Sequence, residues 1–96
     1  MSAYIIFICK ALKDQAEMKI YSSLARQASQ NFNVKALAFY GQAIALENIT
    51  SDGVAILEFE NIQTAQDWYQ SDAYQQAKEH RDLAAEYIVI ITEGLA

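Results

Sequence analysis

The stretches AYIIFIC, residues 3–9, and YIVIIT, residues 87–92, constrain this chain more than any other feature. Both are short and rich in β-branched and aromatic residues, which predicts buried strands. Side chains alternate between the two faces of a strand. Tyr4, Ile6 and Ile8 therefore oppose Ile5, Phe7 and Cys9, and Ile88 and Ile90 oppose Val89 and Ile91. Neither face is polar, so a sheet built on these strands must be covered on both sides.

Between them the periodicity changes. Asp14, with Glu17 three residues on, predicts a helix start close to a capping box. Ile20, Tyr21, Leu24 and Ala28 then follow at helical spacing, with Met18 and Ala25 at the margins and fraying expected over 29–33. Residues 34–47, VKALAFYGQAIALE, read as a long extended segment interrupted by Gly41, and 48–53 as a turn. Residues 54–59, VAILEF, read as a further buried strand. Asn61 is placed to cap a helix carrying Ile62, Ala65, Trp68 and Tyr69. Ser71 restarts the pattern as a second cap, followed by Tyr74, Ala77, Arg81 and Ala85 on one stripe and Ala73, Ala77, His80 and Ala84 on an overlapping one.

The order is β-α-β-β-α-β with a broken second helix, a ferredoxin-like α+β arrangement with a four-stranded antiparallel sheet in one domain over 1–96. Right-handed crossovers place its helices on one face. The other face needs cover from outside the chain, at roughly 25 cal/mol per Å² of apolar area. A second copy packed sheet to sheet is the economical answer, so the expected partner is the chain itself.

Composition narrows function mainly by exclusion. Sixteen of the apolar residues are alanine, so the hydrophobic 53% overstates the volume available to a core. The net charge of −5, with scattered basic residues, disfavours nucleic acid and anionic membrane surfaces as partners. One cysteine, Cys9, precludes an internal disulfide, and the N-terminal apolar run is too short to span a bilayer and lacks a basic flank, so a reducing cytoplasm is expected. There is no HExxH, P-loop, GxGxxG or paired-cysteine motif. No metal or cofactor is expected.

A series of residues then carries a family resemblance: Glu58-Phe59, Trp68-Tyr69, Ser71, Tyr74-Gln75, Arg81 and Glu93-Gly94, with Asp14, Tyr21 and Leu46-Glu47 upstream. In these the chain resembles the small bacterial proteins of the domain of unknown function 1330 family (DUF1330), within the dimeric α/β-barrel superfamily. The resemblance runs nearly end to end and implies a ferredoxin-like fold and a homodimer forming a dimeric α/β barrel. It supplies no activity. Departures from the family pattern fall at Asn33-Val34 in place of a glycine pair, at Asn48 in place of glycine, at Glu60 and Asp72 in place of prolines, and at Phe39 in place of a basic residue.

Arg81 is the most informative side chain, because its stripe faces the sheet and a guanidinium there needs a carboxylate or a bound anion. Glu58, on the same pleat as Val54 and Ile56, is the candidate structural partner; a ligand is the alternative. His80 has the chemistry of a general base, but a lone histidine on an alanine-rich helix is more often a packing residue. Trp68 and Tyr69 are candidates for cleft lining or core, and Tyr40, sharing a pleat with Gln42, for cleft or subunit seam. Arg81, His80, Glu58, Trp68, Tyr69 and Tyr40 are thus the candidate ligand-binding residues, and no catalytic residue is identified. Two functions follow: a homodimer binding a small acidic or aromatic organic molecule between sheet and helices, or a non-catalytic dimerisation module whose cleft Trp68, Tyr69 and Phe39 close. A cofactor-free monooxygenase- or isomerase-like enzyme is a further alternative by superfamily analogy alone.

Overall fold

The N-terminal apolar run forms β1 (Ala3–Leu12) and the C-terminal run β4 (Ala85–Glu93) in a computed structural model that describes residues 1–95. Between them lie α1 (Gln15–Ala28), β2 (Lys35–Phe39), β3 (Gly53–Phe59), α2 (Ile62–Gln70) and α3 (Asp72–Ala84). The sheet order is β2-β3-β1-β4 and every neighbouring pair is antiparallel, which is the ferredoxin-like fold.

The two-faced apolar pattern is realised as expected. Ala3, Ile5, Phe7 and Cys9 are buried, together with Ala55 and Phe59 across from them on β3. Their face carries the helices: Phe7 meets Trp68 edge-on at a centroid distance of 6.3 Å. The opposite face holds Tyr4, Ile6 and Ile8, aligned with Glu58, Ile56 and Val54 on β3 and with Thr92, Ile90 and Ile88 on β4. Among the described residues no element lies over it, and Ile88 and Ile90 remain 37% and 52% exposed.

The helix starts follow their caps. The Asp14 carboxylate accepts from the Ala16 and Glu17 amides, and the Asn61 side-chain Oδ1 from the Thr64 amide. Ser71 serves both neighbouring helices. Its hydroxyl accepts from the Tyr74 amide to start α3 and donates to the Trp68 carbonyl at 2.7 Å to finish α2, while its ψ of 147° breaks the helical path.

Three expectations are corrected. The extended segment proposed over 34–47 is a strand only at Lys35–Phe39. Tyr40, at φ 59°, turns the chain out of the sheet one residue before Gly41, and the following residues run exposed to Asn48, itself at φ 60°. Asn48 thus takes the left-handed backbone that a glycine would otherwise supply. Ile20 is 42% exposed, so the packed stripe of α1 is Met18, Tyr21, Leu24, Ala25 and Ala28. Ala85 opens β4 instead of extending the helical stripe of Tyr74, Ala77 and Arg81.

Candidate functional site

Small side chains leave space where sheet and α1 meet. Ala25 of α1 faces Ala36 and Ala55 of the sheet across a cavity of about 280 Å³. Phe7 and Leu57 complete the sheet side, Tyr21 and Ser29 the helix side, and Trp68 also lines it. Val34, Phe39 and Tyr40 come from β2 and its flanks, and Ser22 and Arg26 from α1. Arg26 and Phe39 are exposed, whereas Tyr21 and Trp68 are almost completely buried.

Beside Ser22, Ser29 and Arg26, the cavity is bordered by two phenols, Tyr21 and Tyr40, each paired with a second phenol that contacts Arg81. Arg81 is 5% exposed. Its Nη1 donates to the Tyr74 hydroxyl at 3.0 Å, and the Tyr74 hydroxyl lies 2.9 Å from that of Tyr21. The guanidinium carbon sits 5.3 Å from the centre of the Tyr87 ring, a cation–π contact. The Tyr87 hydroxyl in turn lies 2.8 Å from that of Tyr40. Two phenol pairs therefore connect the buried cation to two residues that line the cavity. Among the described residues the one carboxylate near Arg81 is Asp82, whose Oδ1 is 3.6 Å from Nη2 on a side chain 55% exposed. That contact is long and wet, and it leaves the buried charge largely uncompensated. Nε of Arg81 has no hydrogen-bond partner among the described residues.

Burial sets the protonation of this network. It raises the pKa of Tyr21 from 10.0 to about 12, and raises those of Tyr74, Tyr87 and Tyr40 as well. All four phenols are neutral hydrogen-bonding groups at pH 7. Burial also opposes the Arg81 charge, but the surrounding phenol oxygens, led by Tyr74 and then Tyr69, outweigh it and raise the arginine's pKa. An arginine is in any case charged throughout the ordinary pH range.

Tyr40 is held at the cavity by a close backbone approach. Gly53, at φ 156°, lies beneath its ring, and a Cβ there would come within 2.7 Å of Tyr40 Cδ1. Trp68 is anchored by its indole N–H, which donates to the Ser29 hydroxyl at 3.1 Å. Trp68 also stacks obliquely on Tyr74, with centroids 4.2 Å apart.

The sequence-predicted residues separate into groups. Trp68 and Tyr40 line the cavity, and Arg81 supports it through Tyr74. Tyr69 packs on Tyr74 at 5.1 Å and lies outside the lining. His80 Nδ1 lies 2.6 Å from Glu17 Oε2, joining α3 to α1 away from the cavity. Glu58 does not pair with Arg81. It aligns with Tyr4 on the bare sheet face, whereas Arg81 packs on the helix side, so the sheet itself separates them. Sequence reasoning missed Tyr21, Tyr74 and Tyr87 as a polar network. The available signal was their hydroxyls: all three stand at core-facing positions, where a phenol O–H must find a partner.

The fold and this cavity together define a ferredoxin-like α+β domain with a partly open cleft between sheet and first helix. The chain belongs to the family described as Domain of unknown function (DUF1330), whose model matches residues 2–95. No curated protein is significantly similar to it in sequence. Its fold is similar to that of a protein of unknown function from Rhodopseudomonas palustris, RPA0582, at TM-score 0.73 and 15% identity over 99% of this chain and 83% of that one. It is also similar to a dimeric ferredoxin-like protein of unknown function from Jannaschia sp. CCS1, at TM-score 0.67 and 10% identity over 98% and 100% of the two chains. A third similar structure is SnoaB, a cofactor-independent oxygenase from Streptomyces nogalater, at TM-score 0.63 and 7% identity over 99% and 93%. Among the described residues no helix is long and apolar enough to cross a membrane.

Proposed function

We propose that this protein is a homodimer that binds a small organic molecule, acidic or aromatic, in the cavity between sheet and α1. The observation that carries the reading is the cavity of about 280 Å³, walled by apolar side chains and bordered by the phenols of Tyr21 and Tyr40. Apolar walls with a few convergent polar groups are the usual composition of a small-molecule site. The dimer is supported by the uncovered face of Ile6, Ile8, Ile56, Ile88 and Ile90, since an apolar sheet of that extent rarely stays in water. The dimeric relative from Jannaschia has the same fold. The likeness to an oxygenase at 7% identity concerns the fold alone.

A thermal-stability screen against small organic acids and aromatics tests the reading, because a ligand of the native state must raise its stability. Trp68 lines the cavity, so its fluorescence should change with the same compounds. If no compound small enough for the cavity shifts either signal, the dimerisation-module reading stands in its place.

A further inference from the structure

Resting on the cavity reading above, the direction of the hydrogen-bond chain behind the cavity says more about what enters it. An arginine can only donate. The Tyr74 oxygen therefore accepts from Arg81 Nη1. Tyr74 is fully buried, and its hydroxyl has one other partner among the described residues, the Tyr21 oxygen at 2.9 Å. The Tyr74 proton must go there, since a buried phenol proton is costly to leave unmade. Tyr21 is thus an acceptor in that bond, and its own proton has no acceptor among the described residues. Tyr21 lines the cavity. The chain delivers a donor to the cavity, polarised from behind by a buried cation.

Charge around the cavity has the same sign. Of its lining residues Arg26 is cationic and none is a carboxylate. Among the described residues the buried Arg81 charge lacks a close counter-ion and its Nε has no hydrogen-bond partner. Burial keeps Tyr21 protonated well beyond neutral pH, so the donor persists.

We infer that the cavity takes a small planar aromatic anion, with a carboxylate or enolate oxygen accepting the Tyr21 proton, Arg81 acting as a positioning residue through Tyr74, and Arg26 adding charge beside the mouth. The aromatic body fits the wall of Phe7, Leu57 and Trp68. The anionic oxygen accepts the Tyr21 proton, which has no acceptor among the described residues, and offsets the buried charge.

The test compares matched probes, benzoate and naphthoate against their uncharged amides, by calorimetric titration of the full-length protein at constant ionic strength. The carboxylates should bind about tenfold or more tightly than the amides. Tyr21→Phe, which keeps the ring, should reduce that preference to within about twofold. Arg81→Gln should do the same, while Arg81→Lys, which keeps the charge, should retain part of it. The ratio is the readout because a merely structural role for Arg81 would weaken both probes equally. Equal affinity of acid and amide for the wild type overturns this inference and leaves the cavity reading intact. Binding of neither probe class overturns this inference, and the cavity reading then stands or falls with the wider thermal-stability screen. A preference that persists in Tyr21→Phe overturns the assigned donor.

Discussion

The Arg81 guanidinium donates to the Tyr74 hydroxyl across 3.0 Å, at a buried position where a carboxylate would be the ordinary partner. A phenol satisfies the hydrogen bond without cancelling the charge. The consequences for stability differ from those of a buried ion pair. Truncating one partner of such a pair leaves an opposite charge stranded and costs about 3–5 kcal/mol. Here Arg81→Met strands no charge. It forfeits one hydrogen bond and the contact with Tyr87, and it removes the desolvation cost of a buried cation that has no close carboxylate. The expected change in unfolding free energy is within about 1 kcal/mol of wild type. Tyr74→Phe should cost more, about 2–3 kcal/mol, because it leaves Arg81 Nη1 without its buried acceptor. Urea denaturation of the two variants gives the order. A larger loss for Arg81→Met than for Tyr74→Phe would contradict this account of the network.

Alkaline pH should unfold the protein through its phenols. Tyr21 has a native pKa of about 12 against 10.0 in the unfolded chain, and burial shifts Tyr40, Tyr74 and Tyr87 in the same direction. A raised native pKa means that the unfolded state releases the proton first. The stabilisation is therefore complete below pH 10 and is lost as pH rises through the interval from 10.0 to about 12. Ultraviolet phenolate absorbance from these four tyrosines should develop together with the loss of near-ultraviolet circular dichroism. Their free titration in a protein that remains folded is the contrary result.

Gly53→Ala should destabilise the protein and open the cavity edge. The backbone at φ 156° is strained for any L-residue, and the added Cβ would meet the Tyr40 ring at 2.7 Å. The cost is on the order of 2 kcal/mol. Displacement of Tyr40 would also break its hydroxyl contact with Tyr87, 2.8 Å in the native protein. Thermal denaturation reports the first effect, and the side-chain resonances of Tyr40 and Tyr87 report the second. An unchanged melting temperature would show that Tyr40 moves aside without loss.

The bare sheet face should hold two copies together. Light scattering at micromolar concentration is expected to give twice the chain mass. Ile56 pairs with Ile6, which in turn pairs with Ile90, so a charge at Ile56 falls within the apolar face. Ile56→Lys should yield a monomer of lowered stability, since an unpaired buried charge is poorly tolerated. A wild-type monomer that stays folded and soluble would mean that this face needs no cover.

Local sequence determined the parts of this structure that depend on neighbouring residues. Strand alternation in AYIIFIC and YIVIIT, the caps at Asp14, Asn61 and Ser71, and the stripe of Tyr74, Ala77 and Arg81 toward the sheet are all legible from spacing, because backbone geometry alone sets which side chains share a face. The reach of β2 was not legible, since Tyr40 takes a positive φ that an ordinary L-residue adopts only when tertiary packing, here against Gly53, compensates it. The partner of Arg81 was not legible either. Glu58 was the nearest carboxylate by strand reasoning, yet it shares a pleat with Val54 and Ile56 on the far side of the sheet. Tyr21, Tyr40, Tyr74 and Tyr87 come from α1, the end of β2, α3 and β4, and only the folded chain pairs their hydroxyls and sets Tyr74 and Tyr87 against one cation. Spacing along a chain specifies which way a side chain faces; what it meets there is decided by elements dozens of residues away, whose packing no local pattern encodes.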